Sequence, residues 1–138
     1  MTDIDRDLTR VIPGSLMERL GITLLEVGAD KVVGTMPVLG NTQPVGLLHG
    51  GATAALAETL GSYGAAVHAG PGRTAVGVDL SITHHKAVRD GHVTATAIPL
   101  HLGGRVCSYT IEVVDDKGIR VASARLTCVL VPDSQNSE

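Results

Sequence analysis

Two hydrophobic periods divide the chain. From Gly51 to Ala69, Ala, Leu and Val recur at helical spacing, Leu56 and Leu60 stand one turn apart, and Gly70-Pro71-Gly72 closes the run. At about 1.5 Å per residue this helix would be roughly 28 Å long, enough to cross a small domain. Apolar residues occur on all its sides, which predicts a buried helix with the other elements wrapped around it. After Arg73 the period becomes two. Val76, Val78, Leu80 and Ile82 alternate with Gly77, Asp79, Ser81 and Thr83, which predicts a strand over 73–84 with one face buried. Further strands are predicted over 91–98, 105–114 and 119–131, separated by turns at 102–104 and 115–118. Ahead of the long helix, Ser15 is placed to cap a short helix, 16–20, that Gly21 ends. Residues 22–27 and 31–37 read as a hairpin, and a loop over 38–48 carries Gly40, Pro44 and Gly46. Two strands, one long helix and four strands in meander make an α+β domain over 1–138, with 1–12 and 132–138 expected to be flexible.

The chemistry concentrates on the long helix and its entry. From Val32 to Gly72 the one formally charged side chain is Glu58. A lone carboxylate on a buried helix is costly unless it is paired or has a use. Ser62 lies one turn on, on the same face, and Gly61 leaves a gap beside the carboxylate. His49-Gly50-Gly51 forms the helix entry, where the first N–H groups lack intrahelical partners and carry the positive end of the dipole. Glycines there let a ligand approach the backbone, and the geometry suits a carbonyl oxygen that gains negative charge in a reaction. The same residues also describe an ordinary glycine-rich turn opening a core helix, with Glu58 satisfied by a neighbour.

The ordered set Gln43, His49-Gly50-Gly51, Glu58 nine residues after the histidine, and Ser62 resembles the signature of hotdog-fold acyl-CoA thioesterases. The nearest branch resembles the 4-hydroxybenzoyl-CoA and phenylacetate-pathway enzymes with a carboxylate on the central helix, and the resemblance runs from about Leu20 to Val131. It implies a hotdog fold, an antiparallel sheet wrapped around one long helix. It implies hydrolysis of a small aryl- or medium-chain acyl-CoA, with Glu58 as nucleophile or general base and the Gly50 N–H polarising the carbonyl. Gln43 would hold the thioester region, His49 would orient the loop or the departing thiol, and Ser62 would position water or steady Glu58. Ser62 stands where a close relative carries Thr. The family's groups come from two subunits, which implies a homodimer, doubled in many members to a homotetramer. Two other readings share the motif: a non-catalytic acyl-CoA-binding regulatory domain, and an enoyl-CoA hydratase using an acid with His49.

A basic cluster follows the 73–84 strand: His84, His85, Lys86 and Arg89. Adjacent histidines on a strand point to opposite faces, so this pair does not chelate a metal together. With Arg105, the residues His84, Lys86 and Arg89 are the candidates to meet the phosphates of coenzyme A, which belongs to substrate and product; no metal or redox cofactor is expected. His68, His92 and His101 have no spaced partners and take no role. No serine-nucleophile elbow, Walker sequence or dinucleotide fingerprint is present.

Composition narrows the field further. The chain has no Phe or Trp, two Tyr and a formal net charge of −3. That gives no stacking platform and no basic surface for a nucleic acid. Cys107 and Cys128, isolated and without metal spacing, read as reduced core thiols, and the polar N-terminus lacks an apolar signal region, so a cytoplasmic protein without a membrane span is expected.

Overall fold

The computed structural model describes residues 7–134; the outermost ends, 1–6 and 135–138, for which flexibility was expected, lie outside the described residues. The elements run α1 (Leu16–Leu20), β1 (Thr23–Val27), β2 (Val32–Pro37), α2 (Gly50–Ala69), β3 (Arg73–His84), β4 (His92–Leu102), β5 (Val106–Val114) and β6 (Arg120–Pro132). The strands form one antiparallel sheet in the order β1-β2-β4-β5-β6-β3, with α2 lying across it. Only β4, β5 and β6 form a meander. β3 does not neighbour β4 as expected but pairs with β6, because α2 carries the chain across the sheet from β2 to its far edge.

Local chemistry explains the boundaries. Ser15 caps α1, and Gly21 ends it in the left-handed conformation at φ 73°. β4 continues past Ile98, where a strand end was expected. The extra residues include Pro99, and the ladder to β5 shifts register between Pro99 and His101, a bulge that accommodates a residue without an N–H. A second bulge lies in β3, between Gly77 and Asp79. It changes which residues share a face. Ala75 and Gly77 lie over Leu130 and Cys128, and beyond the bulge Leu80 and Ile82 lie over Leu126 and Ala124. Val76 and Val78, expected to face inward with Leu80, are exposed instead.

The core is built from aliphatic residues with Met17, Met36, Cys107 and Cys128, and it also holds Tyr109, which is fully buried and donates its hydroxyl to the Ala29 carbonyl at 2.6 Å. Small residues let α2 settle close to the sheet. A Cβ on Gly61 would lie 2.6 Å from Leu126 Cδ2, and one on Gly64 would lie 2.7 Å from Tyr109 Cε1. Those contacts would force core side chains to move, so glycine's low helix propensity is accepted here for close packing.

The helix is not buried all round. Leu56, Ala57, Leu60, Gly64 and Ala65 face the sheet, while Gly51, Glu58 and Ala66 are exposed and Ala55 and Ser62 are half-covered. The expectation that Glu58 is buried is therefore corrected for the single chain: one six-stranded sheet covers one side of α2, and its other, alanine-rich side is open. No helix among the described residues is long and apolar enough to cross a membrane.

Candidate active site

The loop before α2 is a folded structure of its own. Gln43 N–H donates to the Leu47 carbonyl at 2.8 Å, Thr42 and Leu48 form a bridge, and Leu48 N–H reaches the Val88 carbonyl at 2.7 Å. Asn41 fastens it to the domain. Its buried side chain donates through Nδ2 to the carbonyls of Leu20 (2.7 Å) and Pro37 (2.8 Å), and its backbone carbonyl accepts from His49 N–H at 2.8 Å. Sequence reasoning missed Asn41, since one asparagine in a glycine-rich loop has no spacing signal; its burial and four hydrogen bonds, the fourth from its own N–H to the Val38 carbonyl, mark it.

The helix entry can be followed donor by donor. His49 is the N-cap, in extended conformation, and its Nδ1 accepts from Gly51 N–H at 2.8 Å. Its carbonyl accepts from Ala52 N–H (3.0 Å) and Thr53 N–H (3.2 Å). The Gly50 N–H donates to no protein group among the described residues. The imidazole of His49 is thus committed to the cap, with the proton of the neutral ring on Nε2. One open donor remains at the positive end of a 20-residue helix.

His84 sits against Gly50. A Cβ on Gly50 would lie 2.9 Å from His84 Nε2, so the ring lies on the Gly50 backbone. Gln43, Gly50, Thr53, His84 and Lys86 line a shared cleft of about 360 Å³. His85 bonds elsewhere, through Nε2 to Ser123 Oγ at 2.9 Å.

The other basic candidates separate. The Lys86 ammonium is 2.5 Å from the Asp115 carboxylate, which also accepts from the N–H groups of Lys117 and Ile119. The Lys86 hydrogen bond is the largest cause holding the Asp115 carboxyl below its ordinary value of 3.8. A depressed carboxyl contributes stability that is present above the unfolded value and lost as pH falls through the lowered folded one. Comparing wild type with Lys86→Met, the denaturation midpoints should differ at pH 6 and converge below pH 3.8; a constant offset would show that the pair contributes nothing. Arg89 is exposed at the same end and forms no ion pair among the described residues. Arg105 lies at the opposite end of the sheet, beside the start of β5, near Arg73, which donates to the Ala69 and Gly104 carbonyls.

Glu58 and Ser62 belong to a second cleft of about 540 Å³, which they share with Leu16, Met17, Thr59 and Tyr63. Tyr63 donates its hydroxyl to Met17 Sδ at 3.6 Å. Glu58 and Ser62 are not hydrogen-bonded to each other, and the Glu58 carboxylate forms no hydrogen bond or ion pair among the described residues. The candidate set is therefore divided in one chain: Gln43 and Gly50 line one cleft, Glu58 and Ser62 the other. Cys107 and Cys128 face each other across β5 and β6 as buried free thiols, and burial pushes both up, Cys128 to about 11. Neither is a ready nucleophile.

An antiparallel sheet laid around one long central helix, with a glycine-rich helix entry, defines a hotdog domain. The description of the thioesterase superfamily matches residues 45–122, and the chain belongs to that family, one of thioester hydrolases. It is 43% identical over 119 residues to the proofreading thioesterase EntH of Cronobacter sakazakii, covering 86% of this chain and 87% of that protein. Among solved structures it resembles a Haemophilus influenzae thioesterase with a TM-score of 0.85 at 35% identity, covering 91% of this chain and 89% of that one. It also resembles a Staphylococcus aureus thioesterase with a TM-score of 0.82 at 32% identity, covering 85% of this chain and 98% of that one. The solved variants of that protein replace a Gln and, fifteen positions later, a Glu by Ala.

Proposed function

We propose that the protein hydrolyses a small aryl- or medium-chain acyl-CoA to the free acid and coenzyme A, in an active site completed by a second copy of the chain. The observation that carries this reading is the open N–H of Gly50, which lines a cleft with Gln43 and His84. A thioester carbonyl on that donor is polarised by the helix end. Glu58 then either attacks the carbonyl carbon, giving a mixed anhydride that water hydrolyses once the thiolate has left, or takes a proton from a water that attacks the carbonyl directly. The thiolate of coenzyme A leaves, and the acid is released. Gln43 and Glu58 have the spacing of the Gln and Glu changed in the Staphylococcus aureus variants.

The edge of the sheet supports a second copy. β3 is a 12-residue edge strand, long enough to pair with another strand, and the open side of α2 lies beside it. Two-fold pairing of β3 with itself is antiparallel. Gly77, next to Glu58, and His84, next to Gly50, lie on opposite sides of the midpoint of β3. Pairing about that midpoint brings Glu58 closer, along the strand, to the helix entry of the other copy than to its own. The same symmetry carries Arg73 and Arg105 of one copy toward Arg89 of the other, which reunites the basic candidates for the coenzyme A phosphates. A dimer of dimers is the larger assembly compatible with this unit.

The test is hydrolysis of a panel containing benzoyl-CoA, hexanoyl-CoA and acetyl-CoA, followed by free-thiol release, with sedimentation at micromolar concentration. The expected result is turnover of at least one of the two larger thioesters by a dimer or tetramer. A 14.2 kDa monomer that turns over would remove the shared site. Tight binding of benzoyl-CoA without turnover would favour a binding domain.

A further inference from the structure

The position of the Glu58 carboxylate needs a cause, because no hydrogen bond or ion pair among the described residues holds it. What it meets is the main chain of β3. A Cβ built on Gly77 would lie 3.2 Å from Glu58 Oε1 and 3.6 Å from Leu126 Cδ1. The second contact is ordinary; the first requires the carboxylate to give way. Gly77 stands at the β3 bulge, opposite Cys128, and the Glu58 charge is close enough to contribute to raising the Cys128 thiol. Gly77 is the last position in register with Ala75 before the bulge, after which Leu80 and Ile82 take over the inner face.

We infer that Gly77 is a positioning residue for the reaction: its bare backbone is the seat of the Glu58 carboxylate, and a side chain there displaces the acid from the bound thioester. The inference rests on the role given to Glu58 above. Glycine in a strand interior is unfavourable for both entropy and packing. Gly77 does not adopt a positive φ, so its backbone conformation does not require glycine. Space for the acid does.

The two explanations differ in sign. If Gly77 serves the acid, Gly77→Ala and Gly77→Val should keep or raise the melting temperature while lowering turnover in that order. Misplacing a reacting group by about 1 Å costs on the order of 10²-fold, so the few tenths of an ångström imposed by alanine should cost about tenfold in kcat on benzoyl-CoA, with KM changed less than about twofold. A double-mutant cycle gives a readout that a merely structural role would not move. Glu58→Asp withdraws the carboxylate by one methylene, so Gly77→Ala added to Glu58→Asp should cost less than about twofold more. Wild-type kcat in Gly77→Ala, a fully additive cycle, or a loss explained by dissociation in sedimentation would each overturn the inference. Glu58→Gln separates the levels. An inactive Glu58→Gln with an unimpaired Gly77→Ala removes only the seat, whereas an active Glu58→Gln removes the catalytic reading and the seat with it.

Discussion

Glu58→Gln is expected to fold, assemble and bind benzoyl-CoA like the wild type while losing nearly all turnover. The substitution keeps the shape of the side chain and removes its ability to accept a proton or attack a carbonyl. Losing a positioned general base costs about 10²- to 10⁴-fold, and losing a covalent nucleophile can cost more. Stability should change by no more than about 0.5 kcal/mol, since neutralising the carboxylate breaks no hydrogen bond or ion pair among the described residues. The alternative is a carboxylate that serves only to solvate the open side of α2. It predicts preserved kcat. Measuring kcat, benzoyl-CoA affinity and melting temperature on this one variant decides between them, and a kcat within about threefold of wild type would end the catalytic assignment.

Gly50→Ala should have the second largest effect, and by a different route. The N–H remains, and alanine suits the first turn of a helix, so stability should hold or rise. The added methyl would stand 2.9 Å from His84 Nε2, which lines the same cleft. Either the ring moves or the methyl occupies the approach to the donor. Loss of one oxyanion donor costs on the order of 10²- to 10³-fold in kcat, and blocked access to it should approach that. The companion variant His84→Ala vacates the space that the methyl would enter. If steric conflict is the cause, Gly50→Ala should cost less in that background than alone. Wild-type kcat in Gly50→Ala would mean that the carbonyl does not sit at this helix end.

Much of the framework was legible because punctuation residues carry their reason with them. Ser15 and Gly21 bracket α1, and Gly70-Pro71-Gly72 separates α2 from β3. The bulge at Val78 was not legible: an unbroken alternation of Val76, Val78, Leu80 and Ile82 looks like one face, and only the pairing with β6 reveals the change of phase. Strand order was not legible either, since nothing local says that β3 passes to the far edge. For the site, the motif gave Gln43, Gly50 and Glu58, and the structure places each at a cleft. It could not give Asn41 or the approach of Glu58 to Gly77, which depend on neighbours distant in sequence. Glu58 was expected to be buried because its helical neighbours are apolar; the sheet of one chain covers only half of them.

The aromatic-poor core has an optical consequence. With no tryptophan, ultraviolet emission comes from Tyr63 and Tyr109 alone. Tyr109 is sealed in the core, its hydroxyl on the Ala29 carbonyl, and burial pushes its ionisation up to about 12, beyond any working pH. Tyr63 lines the cleft that contains Glu58, its hydroxyl on a methionine sulfur. One fluorophore is sealed from the clefts and the other shares a cleft with Glu58. Tyrosine emission is therefore a label-free probe of the cleft that holds Glu58, and Tyr63→Phe supplies its blank.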